Sequence, residues 1–234
     1  MSSGESGIGE GGPAVEHGFR ERGRDITRLE GFSDCAFGFA ITLLVLSLQV
    51  PGSFEELLRL MAGVPVFAIT FCMLAYIWYT QYRFYRRFGL EDGWTVVLNM
   101  ALLFVVLIYV YPLKFMFSTL IQQRPESVFE ARGLYVVYGL GFCAVFLLIG
   151  LLYVNGLRQG GRLQLTAVER VMTRSWIVDQ WLVASIGLVS VLLALLVPPF
   201  LLWFPGVWYL AIGGVRTASG FRGRRRALAA ARLG

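Results

Sequence analysis

Apolar runs long enough to cross a bilayer recur along this chain, each closed by a short polar or basic break. A hydrocarbon core of roughly 30 Å takes about 20 apolar residues as a helix, and the pattern predicts six such helices. They run from Phe32 to Val50, from Leu57 through Met61 to Tyr82, from Trp94 to Phe117, from Leu134 to Val154, from Trp176 to Val197 and from Phe200 to Val215. Pro65 is tolerated near the start of the second, Pro112 marks a kink or an end in the third, and Pro205 interrupts the short sixth. A membrane β-barrel would instead alternate apolar and polar letters in segments of about 10 residues, a pattern absent here. The expected fold class is an all-α membrane protein with six transmembrane helices.

The polar segments divide the chain further. Residues 1–25 are rich in Gly, Glu and Arg with few large apolar side chains, as in a disordered tail. They do not read as a secretory signal, which would place its apolar core sooner and end at a small-residue cleavage site. A six-helix domain over 26–216 and a basic tail over 217–234 follow. With six spans, one side of the membrane holds all but four of the 21 Lys and Arg residues, the exceptions being Arg59, Lys114, Arg124 and Arg132. Basic loops stay on the cytoplasmic side, so the pattern predicts a multi-pass plasma-membrane protein with both termini in the cytoplasm. The C-terminal FRGRRRALAAAR fits the same rule or attraction to anionic lipid headgroups; nucleic-acid binding is a weaker reading and is not expected.

Composition narrows the chemistry. Hydrophobic residues make up 56% and charged residues 15% of the chain, against about 25% charged in soluble domains. Cys35, Cys72 and Cys143 lie inside apolar runs, and the one histidine, His17, lies in the leader, so His/Cys metal chemistry has little to work with. Asp34, Glu91, Asp92 and Asp179 are loop or span-end acids without a paired acid, an HExxH, a GxSxG or a phosphate-cradling loop. An enzyme is therefore not expected, nor any cofactor or resident metal.

The first span, RLEGFSDCAFGFAITLLVLSLQVP over 28–51, carries charges at its mouth. A charge at a helix centre costs roughly 2.5–3.5 kcal/mol on insertion scales. Arg28 and Asp34, six residues apart, do not share a helix face and read as anchors paired through neighbouring helices. An equally weighted reading makes Arg28 a plain positive-inside anchor and Asp34 a first-turn residue favoured by the helix dipole. Taking Phe39 as reference, Phe32, Cys35, Ala36, Thr42, Leu43, Leu46 and Val50 fall within about 60° of it, with Asp34 turned away. This ladder with one hydroxyl is either an ordinary lipid-facing or packing stripe or a working surface. The small residues Cys35, Ala36, Gly38 and Ala40 let other helices approach closely.

Arg28, Phe32, Ser33 and Asp34 form an R-x-x-x-F-S-D signature, and the chain resembles the transmembrane-protein-175 potassium channels on these residues. The following AITLLVLSLQVP, the IWYTQYRFYRR around Trp78, Asn99 in the third span and YVYP at 109–112 extend the likeness over about residues 24–120. The resemblance implies a homotetramer whose first helices surround a central pore, with no TVGYG filter loop. It places hydrophobic constriction and selectivity on Phe39, Thr42 or Leu43, and Leu46, the same face that periodicity singles out. A fourfold ring of large apolar side chains can block ions by dewetting. Arg28, Phe32, Ser33, Asp34, Trp78 and Asn99 would form a network that holds the first helix on the second and third, with Arg28 and Asp34 turned away from the ladder. Potassium, further copies of the chain and membrane lipid are the implied partners.

Two departures stand out. Phe39 occupies a constriction position where the family commonly has Ile or Leu, and Gln81 and Tyr82 stand where it carries histidines, so no pH-sensing role of those histidines carries over. The rival reading is a secondary transporter of a small ion or solute. It would want an internal repeat and midplane ionisable residues, neither of which the pattern offers.

Overall fold

A computed structural model describes residues 15–16, 19–23, 25–46, 50–122 and 127–201. Two short antiparallel strands, β1 (Val15–Glu16) and β2 (Phe19–Arg20), precede six helices: α1 (Arg28–Leu46), α2 (Phe54–Ala62), α3 (Val64–Phe88), α4 (Gly93–Gln122), α5 (Val128–Arg158) and α6 (Ala167–Leu196). A 3-10 turn at Pro199–Leu201 closes the described chain. α1, the first 20 residues of α4, α5 and α6 are each long and apolar enough to cross a membrane; α2 with α3 makes a fifth span if the bent pair counts as one.

The helices do not map one to one onto the six expected spans. The expected second span is broken into α2 and α3, whose axes diverge by 48°. Pro65, in the first turn of α3, has no N–H to donate and its ring crowds the carbonyl four residues earlier, while Gly63 caps α2 by donating to the Leu60 carbonyl (3.0 Å). Pro112 neither ends α4 nor shortens it, since the helix continues to Gln122. The expected sixth span lies almost wholly outside the described residues, as does the C-terminal tail.

α6 begins at Ala167, well before the expected Trp176. A capping box starts it: the Thr166 hydroxyl accepts from the Glu169 amide (3.2 Å), and the Glu169 carboxylate accepts from the Thr166 amide (2.8 Å). The first turns look like a polar loop in sequence, yet Glu169, Thr173, Ile177, Gln180 and Ala184 keep one buried face. α5 packs along α6 and α4, and α4 in turn carries α1. Small residues permit the close α5–α6 crossing: a Cβ on Gly187 would stand 2.8 Å from the Gly139 carbonyl.

Residues 19–23, at the end of the expected tail, are built into the base of the bundle, where α3 ends and α6 begins. Phe19 is fully buried, its ring 5.5 Å from that of Phe88 and 5.2 Å from that of Trp176. The Glu169 carboxylate, 1% exposed, is held by the Arg22 guanidinium through both oxygens (2.9 and 3.1 Å) and by the Arg20 amide (2.9 Å). The amides of Arg22 and Gly23 donate to the Arg86 carbonyl at the end of α3 (3.2 and 3.1 Å). Gly23 lies so close that a Cβ would fall 2.3 Å from the Tyr85 carbonyl oxygen, and it packs against Gly89, whose left-handed φ of 56° ends α3. The first residues before α1 are thereby strapped to α3 and α6.

Candidate functional site

α1 is the element on which the sequence concentrates its candidate residues, and its two sides differ. Glu30, Ser33, Phe37, Ala40 and Leu44, spaced by three and four, are buried; that spacing is one helical stripe, turned toward α3 and α4. The opposite side is open: Phe32 is 57%, Phe39 60% and Leu46 74% exposed, and Cys35, Gly38 and Thr42 are exposed beside them. Of the expected ladder, Leu43 and Ala36 are half-buried at its edge and pack against the core. The Thr42 hydroxyl donates to the Gly38 carbonyl (2.8 Å), a back-bond that fixes its rotamer and leaves the oxygen lone pairs facing outward.

The signature residues make two separate links. Asp34 accepts a hydrogen bond from the Trp78 indole N–H at 2.7 Å, tying α1 to α3. Trp78 itself stacks on Tyr82, with centroids 5.7 Å apart, so the tyrosine braces the indole. Ser33 makes the second link. Its hydroxyl donates to the Leu29 carbonyl (2.8 Å) and accepts from the Asn99 amide (2.9 Å), while the Asn99 carbonyl accepts from the Gln81 amide. Gln81, Asn99 and Ser33 are all buried, and the chain of donors runs from α3 through α4 into α1. Buried amides are costly unless partnered, so this connected chain fixes the relative height of three helices.

Asn99 therefore reaches Ser33, not Asp34. Arg28 does not join either link: it is exposed at the start of α1, with no side-chain partner among the described residues. Eleven residues before Phe39 amount to about three full turns, so Arg28 stands on the Phe39 side, contrary to the expectation that it is turned away. Phe32 is likewise exposed.

Four residues have surroundings that the sequence pattern did not place: Glu30 and Tyr85, which it did not single out, and Arg87 and Asp92, which it read as loop charges. Glu30, 6% exposed, continues the buried stripe of α1; its three-residue spacing from Ser33 is the signal that could have found it. Tyr85 is 2% exposed, a phenol buried beside the α1 stripe. Arg87, read as part of a basic loop, is 3% exposed, with its guanidinium 3.6 Å from the centre of the Trp176 ring and donating to the Tyr153 hydroxyl (3.1 Å). Asp92, between α3 and α4, accepts from the Thr95 hydroxyl (2.6 Å) and the Asn155 amide (3.1 Å). Burial pushes its carboxyl up, but hydrogen bonds from Thr95, Gln159 and Asn155 outweigh that and hold it below the usual carboxylate range.

Comparison with known proteins bears on what such an arrangement is. The family described as endosomal/lysosomal potassium channel TMEM175 matches residues 28–112. A protein of Marivirga tractuosa named potassium channel is 39% identical over 195 residues, covering 77% of this chain and 79% of that protein. A potassium channel of Streptomyces collinus is 27% identical over 139 residues, covering 57% of this chain and 65% of its own length. Among solved structures, that of a variant of the potassium channel MtTMEM175, bound to a nanobody–MBP fusion, superposes with a TM-score of 0.78 at 34% identity, covering 90% of this chain and 99% of that one. A lysosomal potassium-selective channel TMEM175 homolog from Chamaesiphon minutus shares the fold, with a TM-score of 0.59 at 23% identity over 82% of this chain and 96% of its own.

Proposed function

The chain belongs to the TMEM175 potassium-channel family, and from that premise we propose that it is a potassium-permeable channel conducting passively through a central pore. Four copies surround the pore, each presenting the open side of α1. The observation that carries this reading is the asymmetry of α1, an apolar membrane-length helix whose Phe39, Thr42 and Leu46 are left uncovered by its own subunit while the opposite stripe is locked into α3 and α4. A face of that kind needs lipid or further copies of the chain, and a fourfold arrangement turns it into concentric rings.

On this reading Phe39 and Leu46 form apolar constrictions about two helical turns apart, and Thr42 between them offers an oxygen to a partly dehydrated ion. The half-burial of Leu43 supports Thr42 as the pore-facing member of that pair. The rings block by dewetting when narrow and pass ions when α1 tilts or moves outward. The Asp34–Trp78 bond and the Ser33–Asn99–Gln81 chain set the position of α1 without touching the ion. Arg28, on the Phe39 side of the helix start, stands at one mouth of the same path. The basal end, with the strapped leader and the Arg-rich ends of α3 and α5, faces the cytoplasm of the cell membrane, and both termini emerge there. The relatives are channels, so no catalytic role is assigned.

Potassium flux from liposomes containing the purified full-length protein, under a potassium gradient with no other energy source, tests the proposal. Passive flux that grows with the gradient is the expected result. Absence of flux from an assembled oligomer overturns it, and saturable uptake coupled to a second ion replaces the channel with a transporter.

A further inference from the structure

α2 is a nine-residue helix whose apolar and charged residues lie on opposite sides. At about 100° per residue, Phe54, Leu57, Leu58 and Met61 share one arc, and Glu55, Glu56 and Arg59 share the other. Its start is built to hold: the Ser53 hydroxyl accepts from the Glu56 amide (3.2 Å), and the Glu56 carboxylate accepts from the Gly52 amide (2.7 Å). Yet its apolar arc is largely exposed. Phe54 is 72%, Leu58 54% and Met61 50% exposed, and only Leu60, at the edge of the arc, is half-buried where α2 meets α3 and α4.

We infer that the apolar face of α2 seats in the headgroup–acyl boundary of the bilayer, so that α2 is a lipid-anchored foot at the outer end of the α1–α3 connection. Three observations select lipid as the occupant. The 48° break at Gly63–Pro65 takes α2 off the line of α3, so the apolar arc of α2 need not follow α3 across the membrane. The exposed apolar arc continues without a polar gap into Val64 and Ile69 on the outer side of α3, the surface that a membrane-spanning helix turns to acyl chains. The four apolar side chains on one short helix also offer much less than the roughly 800 Å² per partner of a stable protein interface, whereas an interfacial helix binds through such an arc with its charges in the headgroup water.

The test uses the full chain with Cys35→Ala, Cys72→Ala and Cys143→Ala, carrying one bimane label on Leu58→Cys, on Met61→Cys or on the opposite-face Glu56→Cys. Each labelled protein must elute as the unlabelled one does. It is placed in phosphatidylcholine vesicles whose acyl chains are brominated either close to the headgroup or close to the chain end. The expected result is quenching of the labels on Leu58→Cys and Met61→Cys that is at least about twofold stronger with the shallow bromines, with the label on Glu56→Cys quenched by aqueous iodide instead. Bromine-insensitive labels at both apolar positions overturn the inference. So does cross-linking between copies through Leu58→Cys, which would make a second chain the occupant. None of these readouts depends on ion conduction.

Discussion

Asp34 and Trp78, forty-four residues apart in sequence, meet at 2.7 Å, the indole N–H donating to the carboxylate. A hydrogen bond to a charged group contributes about 1.5–3 kcal/mol, and the partial exposure of this pair places it toward the low end. Trp78→Phe keeps the aromatic stack on Tyr82 and deletes only the donor. It is expected to lower the midpoint of thermal unfolding of the detergent-solubilised oligomer by several degrees. Asp34→Ala removes the acceptor and reduces the amount of assembled protein more than it alters ion preference. An intact oligomer with changed ion preference would place Asp34 in the conduction path instead, and both quantities can be read from size-exclusion chromatography and reversal potentials.

The open side of α1 makes a different prediction, on conduction and not on folding. Phe39 is 60% exposed in the subunit, so truncating it opens no cavity inside the bundle. Phe39→Ala is expected to raise basal potassium flux about tenfold by widening a dewetted ring. Thr42→Ala removes the hydroxyl between the rings and is expected to lower potassium over sodium preference while leaving expression unchanged. Single-channel recording of wild type beside each variant checks both; an unchanged conductance and open probability in Phe39→Ala removes Phe39 from the constriction.

The open ladder of α1 was legible because helical periodicity groups residues 32, 39, 42 and 46 without any tertiary information; the buried stripe opposite it, from Glu30 to Leu44, was not picked out. What covers the open face was not, since a helix facing lipid and a helix facing its own copies are written in the same apolar letters. Pro65 announced the α2–α3 break, but a tolerated first-turn proline and a proline that divides a span look alike until the carbonyl partners are known. The early start of α6 was readable in the T-x-x-E spacing of Thr166 and Glu169 and was hidden by the arginines that follow. The order in the leader was not readable at all: Phe19 is a lone aromatic among Gly and Glu, and its pocket is made by Phe88 and Trp176 from distant parts of the chain. Arg87 escaped for the same reason, as its burial depends on the Trp176 ring and the Tyr153 hydroxyl.

The leader strap carries the third prediction. Phe19 is fully buried, and aromatic-to-alanine substitutions in cores cost about 3–5 kcal/mol. Phe19→Ala is therefore expected to destabilise the bundle base by nearly that amount, measured as a lowered unfolding midpoint. Arg22→Ala leaves the Glu169 carboxylate buried with fewer donors, and breaking a buried pair costs about 3–5 kcal/mol. Arg22→Ala combined with Glu169→Gln removes the charge along with its partner and should recover part of that loss. Glu169→Gln alone completes the cycle, and losses of the two single variants that simply add in the double would mean that the pair contributes no coupling.

Asp92 gives the pH dependence. Its folded-state carboxyl is held below the ordinary value by the Thr95, Gln159 and Asn155 hydrogen bonds, which outweigh burial. A carboxyl depressed on folding contributes stability that is fully present above its unfolded value, near pH 4, and is lost as the pH falls through the folded value. Asp92→Asn presents an amide of the same shape, whose oxygen still accepts from Thr95 and whose stability has no such acid dependence. Wild type should thus be the more stable of the two at neutral pH, and the gap should narrow between about pH 5 and pH 3. Thermal unfolding of both proteins across that range checks the sign; a gap that widens on acidification would mean that Asp92 is held neutral by burial and not charged by its three neighbours.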